Sequence, residues 1–380
     1  MGIILKKQPS SRAFCGLIPQ RKGGRITSWK GKVIMMKKVR IGIVGAGNIA
    51  TNAHMPAYAA CDKAEVVAVA DLNLERAEAF AKRFGIPHAY ASVEELLANE
   101  DIDAVDVCTW NNGHAPVTIA AAKAGKHILC EKPFADSLEH ALEAKAAVEE
   151  AGVQFLLGVP SRFNPQNALV RELLDKGEFG DIYYAKTSYL RRRGTPTGWF
   201  TDKRVAGGGP ILDIAVHRID AAWYMMGNPK PVRVSAAVSN RLGAFRTKGI
   251  ERWQGTPCPD NQNDTEDFGA GAIHFENGAI LLFEASWAIN GPDFQYTQLY
   301  GTKGGVTLDP LTVYGERNGY LSDDKLNPGP GKSFELEIAH FVDCVLTGAP
   351  TRTPVDQACD LQRMLQGIYD SARLGREVTL

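Results

Sequence analysis

The sequence predicts an α/β chain in two parts: a doubly wound parallel sheet over residues 38–158, then an α+β part built on a mostly antiparallel sheet. Three observations carry that prediction. Short β-branched runs alternate with alanine- and charge-rich helical stretches as far as residue 158, the pattern of right-handed parallel crossovers. A glycine turn, "VGAGNIA", sits between the first run and the first helical stretch. Beyond residue 160 the runs lengthen and are joined by hairpin-type turns.

The first run, "VRIGIVGAG", is β-branched and ends in glycines, as a strand buried on both faces does. Helical patterning follows through "HMPAYAAC". "AEVVAVAD" is the next strand, and "NLERAEAFAKRFG" is a helix closed by a glycine. "DAVDVCT" is the third strand candidate, "APVTIAAAKAG" a helix with the same stop, and "KHILCEKP" the fourth strand. "SLEHALEAKAAVEEAG" opens with Ser137 as N-cap and Glu139 in its first turn, and "VQFLLGVP" is the fifth strand.

In the second part "PQNALVRELLDKGEFG" is an amphipathic helix. "DIYYAKTSYLRRR", "VRVSAAVSN", "EDFGAGAIHFENGAILLFEASW" and "FQYTQLYG" read as strands, with "ENGA" as a two-residue Asn-Gly hairpin turn. Helices cover one face of this sheet, one of them spanning Gly209–Met226. Residues 242–263 form a long polar loop, a length often used to cover a site. Two helical stretches fill residues 335–380.

Composition excludes several roles. At 380 residues the chain can bury two sizeable cores, and 44% hydrophobic with 23% charged residues suits a globular enzyme. Its apolar runs, such as "AILLF" and "VVAVA", fall well short of the roughly 18 residues of a membrane span. The formal charge is zero but uneven. Residues 1–35 hold eight Lys or Arg and no acid, leaving the body about eight charges negative, which argues against nucleic acid as a partner. The basic head lacks the apolar core of a secretory signal, so residues 1–37 read as a disordered or over-extended N-terminus. Seven cysteines are scattered singly, without a Cys-x-x-Cys, so neither a disulfide framework nor a zinc site is expected, and the expected compartment is a reducing cytoplasm.

The glycine turn supplies Gly45, Gly47, Asn48 and Ile49 in a G-x-G-x-x-A pattern. Such glycines let backbone N–H groups approach a pyrophosphate at a helix N-terminus. Asp71 closes the next strand, 24 residues after Gly47, where a ribose 2′-hydroxyl would be gripped. A carboxylate there repels a 2′-phosphate, so NAD is expected over NADP. Arg76, close by in sequence, keeps NADP open.

Three more segments carry chemistry: "CTWNNGHAP" (Cys108–Pro116), "CEKP" (Cys130–Pro133) and "GGGPILDIAVHRID" (Gly207–Asp220). In this order after the glycine turn, they resemble the glucose–fructose oxidoreductase / inositol dehydrogenase / MocA family, over roughly residues 38–380. The resemblance implies a Rossmann domain at 38–158, an open-faced sheet domain for substrate and oligomerisation at 159–334, and closing helices at 335–380. It also implies hydride transfer between a secondary hydroxyl of a sugar or polyol and a nicotinamide cofactor, in homodimers or homotetramers packed through the second sheet. Carried over by motif, Lys132, Asp213 and His217 are catalytic. Thr109, Trp110, Asn111, His114 and Glu131 join the cofactor side, with Trp110 standing where the family usually has proline.

Physical chemistry supports the set. Hydride leaves a carbinol carbon only as the hydroxyl proton is removed, so a base must touch that oxygen, and His217 is the candidate, with a pKa near working pH. A cation beside it steadies developing alkoxide, and Lys132 leaves the C-terminal edge of the parallel sheet. Gly209 and Pro210 suit N-cap and N1 of a helix on which Asp213 and His217, four apart, share a face. The same groups also allow Lys132 as base with His217 polarising.

Trp199 and Arg162 are substrate candidates, and the triplet Arg191–Arg193 is expected to be split between strand faces. Asp220 is read as pairing locally. His54, His88, His127, His140, His274 and His340 are read as structural, and no metal is expected. The rival readings are a dinucleotide-binding sensor without catalysis, and a sugar–sugar oxidoreductase that recycles a tightly held cofactor.

Overall fold

In the computed structural model, which describes residues 38–242 and 247–380, the first part is a six-stranded parallel sheet. The basic head, residues 1–37, lies outside the described residues. The elements run β1 (Val39–Val44), α1 (Met55–Ala59), β2 (Ala64–Ala70), α2 (Leu74–Phe84), β3 (His88–Tyr90), α3 (Val93–Leu97), β4 (Ala104–Val107), α4 (Asn111–Lys123), β5 (His127–Glu131), α5 (Leu138–Ala151) and β6 (Phe155–Gly158). Strand order is β3-β2-β1-β4-β5-β6. Winding reverses between β1 and β4, and the crevice this leaves at the strands' C-terminal ends is where doubly wound sheets bind ligands.

Sequence patterns explain most of these elements. Every residue of β4 and β6 is buried, as a strand covered on both faces requires. Asn73 caps α2 by accepting from the Arg76 N–H, Gly85 ends it at φ 71°, and Ser137 caps α5 as expected. β3 and α3 were not expected. A three-residue edge strand with an exposed first residue, and a five-residue helix held by its Ser92 cap, are too short to show a period.

The second part continues with α6 (Pro165–Asp175), β7 (Ile182–Leu190), α7 (Lys203–Ala206), α8 (Val216–Met225), β8 (Pro231–Ser239), β9 (Phe268–Phe275), β10 (Ile280–Ser286), β11 (Phe294–Gly301), β12 (Gly305–Leu308), β13 (Thr312–Arg317), β14 (Tyr320–Lys325), α9 (Ser333–Thr347), α10 (Val355–Leu374) and β15 (Val378–Thr379). Its nine strands form one sheet, antiparallel except for the β7–β10 pair. β12 to β15 were not foreseen.

The period of two is clear at its centre. Ala185, Leu281, Phe283 and Leu299 are buried under α8, while Tyr184, Lys186, Leu282 and Tyr300 face the other way. The β9–β10 hairpin departs from expectation. Phe275 pairs with Ala279, leaving three residues in the loop, and Gly278 rather than Asn277 takes positive φ, so this is a bulged three-residue turn. The closing helices serve both parts: α9 packs on α1 and β1, and α10 spans α5 and β8.

Candidate active site

β1 delivers the chain to Gly45, whose φ of 102° and closeness to the Cys108 carbonyl exclude a side chain. Gly47 is different: a Cβ there would meet nothing within 4 Å. The protein thus leaves free space before the helix that starts at Asn48 and runs through a widened π turn, Ala50–His54, into α1. Two residues after Gly45 and backed by a helix N-terminus, that space fits a pyrophosphate. Asp71 ends β2, 8% exposed, with Oδ2 accepting from the Ala46 N–H (3.0 Å) and Oδ1 from the Asn73 N–H (2.9 Å). Arg76 folds against it, Nε to Oδ2 at 2.9 Å and Nη2 to Oδ1 at 2.5 Å.

The loops after β4 and β5 are locked together. His114, buried in α4, has Nδ1 2.6 Å from the Pro133 carbonyl and Nε2 3.1 Å from that of Thr109, so it struts one loop against the other. Asn111 donates to the Ala206 carbonyl (2.8 Å), tying the first part to α7 of the second. Lys132 reaches across the same way: its Nζ donates to the Asp213 carbonyl at 3.0 Å and lies 3.5 Å from Asp213 Oδ1.

Asp213 lies in a second π turn, Ile211–Ala215, which runs into α8. Gly209 accepts the first helical bonds and Pro210 follows, as the sequence suggested. The Asp213 Oδ2 accepts from the Trp287 indole N–H at 3.0 Å. His217, one turn on, is half-buried and is not part of the cleft's lining surface. Burial, then the Lys132 charge, pushes its imidazole down to about 3. Burial first and the Lys132 charge second therefore keep the ring neutral, in place of the expected pKa near working pH.

Beneath the cleft lies a buried ion cluster. His54, read from sequence as lacking a partner, has Nδ1 2.7 Å from Asp106 and Nε2 2.9 Å from Glu131. Two carboxylates only accept, so both ring nitrogens donate. Burial, the largest single influence, pushes His54 down, but the Asp106 charge, the Cys108 sulfur and the hydrogen bonds to both together outweigh it and carry the ring well above its ordinary value. Burial likewise pushes the Glu131 carboxyl up, yet the His54 hydrogen bond and charge hold it below its usual range. Its other oxygen accepts from the Lys132 N–H at 3.1 Å. His54, Asp106 and Cys108 bring donor atoms within 4.8 Å of one another. That group is satisfied internally, with burial, then Asp106, lifting the Cys108 thiol to about 12.

The cleft, about 800 Å³, takes in Gly47, Asn48 and Ile49, Thr109 to Asn111, Glu131, Lys132, Asp213 and Trp199. Asp71 and Arg76 sit outside its lining. Of the arginine triplet Arg191 lines the cleft, while Arg192 and Arg193 bond to the Asp293–Asn290 edge. Arg162 is corrected. It is 0% exposed, clamps Asp220 through Nε (2.9 Å) and Nη2 (2.6 Å), and lies outside the cleft's lining, so it holds the core together. Three contributors were missed: Trp287, Glu266 (which accepts from the Gly209 N–H at 2.9 Å) and Trp253 of the long loop. Asp106 and Glu131, acids inside or ending apolar strands, were the legible signal for His54.

Comparison with known proteins agrees with this geometry. Residues 39–159 match the model of an oxidoreductase family with an NAD-binding Rossmann fold, and residues 168–307 match the GFO/IDH/MocA C-terminal domain. The chain is 32% identical to D-glucoside 3-dehydrogenase of Escherichia coli (strain K12) over 356 residues, 90% of this chain and 97% of that protein. Among solved structures it resembles levoglucosan dehydrogenase in complex with NADH and L-sorbose, at 27% identity and TM-score 0.78, covering 90% and 99% of the two chains. It also resembles the aldose–aldose oxidoreductase of Caulobacter crescentus, at 28% identity and TM-score 0.76, covering 90% and 100%.

Proposed function

Because the chain belongs to the GFO/IDH/MocA oxidoreductases, we propose that it moves hydride between NAD and a secondary hydroxyl of a sugar or cyclic polyol. One observation carries the reading. Lys132 from the end of the parallel sheet meets Asp213 of the second part, in a cleft that begins at the open glycine turn.

Gly47, Asn48 and Ile49 would hold the dinucleotide phosphates, Asp71 the adenosine ribose, and the Thr109–Asn111 and Glu131 loops the nicotinamide side. NAD held by these residues would supply the acceptor for the hydride of the carbinol carbon. His217, neutral, takes the hydroxyl proton, and Lys132 donates to the oxygen as negative charge grows on it. Asp213 holds the Lys132 ammonium in place and is itself fixed by Trp287. A sensor has no use for that constellation, which supports the catalytic reading.

We divide the chain near residue 158 into cofactor and substrate parts, closed together by α9 and α10. The outward sheet face, with Tyr184 stacked on Tyr300 and Lys186 over Tyr296, is the surface we assign to homodimer or homotetramer packing. No helix among the described residues is long and apolar enough to cross a membrane. The reducing cytoplasm remains our assignment, on the scattered cysteines.

Absorbance of reduced nicotinamide, followed after mixing enzyme, NAD and a panel of sugars and polyols, tests the reading. Wild type forms NADH with at least one of them. His217→Ala lowers kcat by about 10²–10⁴-fold while NADH affinity stays within about threefold. A variant as fast as wild type removes His217 from the mechanism. The likeness to an aldose–aldose oxidoreductase favours one second reading, cofactor recycled between two sugars, for which NAD would co-purify and persist through dialysis.

A further inference from the structure

Four aromatic side chains line the cleft, and the proton and hydride steps use none of them: Trp110, Trp199, Phe200 and Trp253. They form one continuous wall. Trp110, from the first part, stacks on Trp199 of the second with ring centroids 6.1 Å apart and planes 22° from parallel. Trp199 leans on Phe200 at 3.9 Å, and Phe200 meets Trp253 edge-on at 4.7 Å.

The wall is built rigidly. Trp199 and Phe200 sit on segment 195–201, Trp253 on the long loop, and the two backbones are clasped. The Thr197 N–H donates to the Trp253 carbonyl, the Gly255 N–H to the Thr197 carbonyl and the Trp199 N–H to the Thr256 carbonyl, and the Arg252 guanidinium donates to the carbonyls of Thr195 (2.7 Å) and Pro196 (2.8 Å). Yet Trp253 is left 49% exposed on this ordered clasp. Folding gives no reason to hold a tryptophan open at a cleft, whereas a ligand face does.

The chemistry of that face is specific. An aromatic ring carries negative charge on its face, and the C–H bonds on one side of a pyranose, like the edge of an aryl ring, present positive charge to it. A free monosaccharide in reach of Lys132 has its hydroxyls to satisfy and one ring to offer. A wall of four aromatics reaching to the long loop offers more surface than one ring covers.

We propose that the substrate is a glycoside whose group beyond the glycosidic bond is itself a ring, sugar or aryl, stacked on the Trp199–Phe200–Trp253 wall. This rests on the sugar-oxidising reading above and names its substrate class.

The test compares kcat/KM with NAD for a free hexose, its methyl glycoside, a disaccharide and an aryl glycoside. In wild type the ring-bearing glycosides exceed the methyl glycoside at least tenfold, mainly through KM, and the two of them show which ring the wall prefers. Trp253→Ala brings that ratio to within about threefold of one, and Trp253→Phe restores it. A ratio near one in wild type, or a ratio unchanged in Trp253→Ala, overturns the proposal while leaving sugar oxidation standing. Tryptophan fluorescence, titrated with phenyl glycoside in the presence of NADH, reads the wall without turnover. Quenching that is lost in Trp253→Ala supports the wall even if every sugar fails as a substrate, which would sink the functional reading alone. No quenching in wild type sinks the wall.

Discussion

Two helices open onto the cleft, and they start alike. Each follows a glycine run and each begins with a widened π turn, Ala50–His54 in one and Ile211–Ala215 in the other. Their N-termini are nevertheless opposites. In front of Gly47 there is open space, whereas a Cβ on Gly208 would land on the Tyr369 hydroxyl and one on Gly209 on the Glu266 carbonyl. Glu266 already supplies the anion: its carboxylate accepts from the Gly209 and Ile211 N–H groups at 2.9 and 3.2 Å, and is braced by Tyr369 at 2.8 Å. One helix leaves its positive end open, where we propose that a ligand's phosphates sit. The other has it filled from within and spends its first turns on Asp213 and His217. Glycine content cannot separate these cases; what stands opposite the glycine does.

The sharpest way to break this comparison is to put a side chain on each. Gly47→Val should leave Tm within about 2 °C, since nothing lies within 4 Å of the added Cβ, and weaken NADH binding roughly 100-fold, about 2.7 kcal/mol, by taking the space the phosphates need. Gly209→Ala should do the reverse, lowering Tm by about 2–5 °C through its clash with Glu266 backbone and changing NADH affinity less than threefold. Calorimetry and NADH fluorescence titration read both. If Gly47→Val loses stability and keeps affinity, the open cradle has been misassigned.

A smaller effect sharpens the first helix's side. Asp71 holds Arg76 by two bonds. Asp71→Ala removes the group that would grip a ribose hydroxyl and frees a guanidinium suited to a 2′-phosphate. The NAD-over-NADP ratio of kcat/KM should fall about tenfold, and an unchanged ratio would show that the carboxylate takes no part in the choice.

How much was legible follows from how local each signal is. The glycine turn, Asp71 and the alternation of strand and helix are written within a few dozen residues, and the first sheet could be read almost element by element. β3 and α3 escaped because an edge strand of three residues and a helix of five have no period. Lys132, Asp213 and His217 came from motif likeness supported by chemistry. Their supports did not, because Trp287, Glu266 and His54 act on partners 74, 57 and 77 residues away in the chain, and only folding makes them neighbours. Arg162 failed for the converse reason. A charged side chain in "SRFNP" looks available, and nothing local says that Asp220, 58 residues on, pairs with it in the core.

The finest test asks whether the second helix feels the parallel sheet through Lys132. Burial and that ammonium hold His217 near 3, so between about pH 3 and its ordinary 6.5 the folded ring binds fewer protons than the unfolded chain does. By linkage, stability rises with pH across that window and is lost as pH falls through it. The acid limb of kcat/KM should accordingly lie well below 6.5, because the free enzyme keeps its base neutral into mild acid. His217→Asn should flatten the fall of Tm between pH 6.5 and 4. Lys132→Met should keep part of that fall and shift its midpoint toward 6.5, since burial remains while the opposing charge is gone. If the slope in Lys132→Met matches wild type, burial alone sets the imidazole, and the two walls are neighbours without being electrostatic partners.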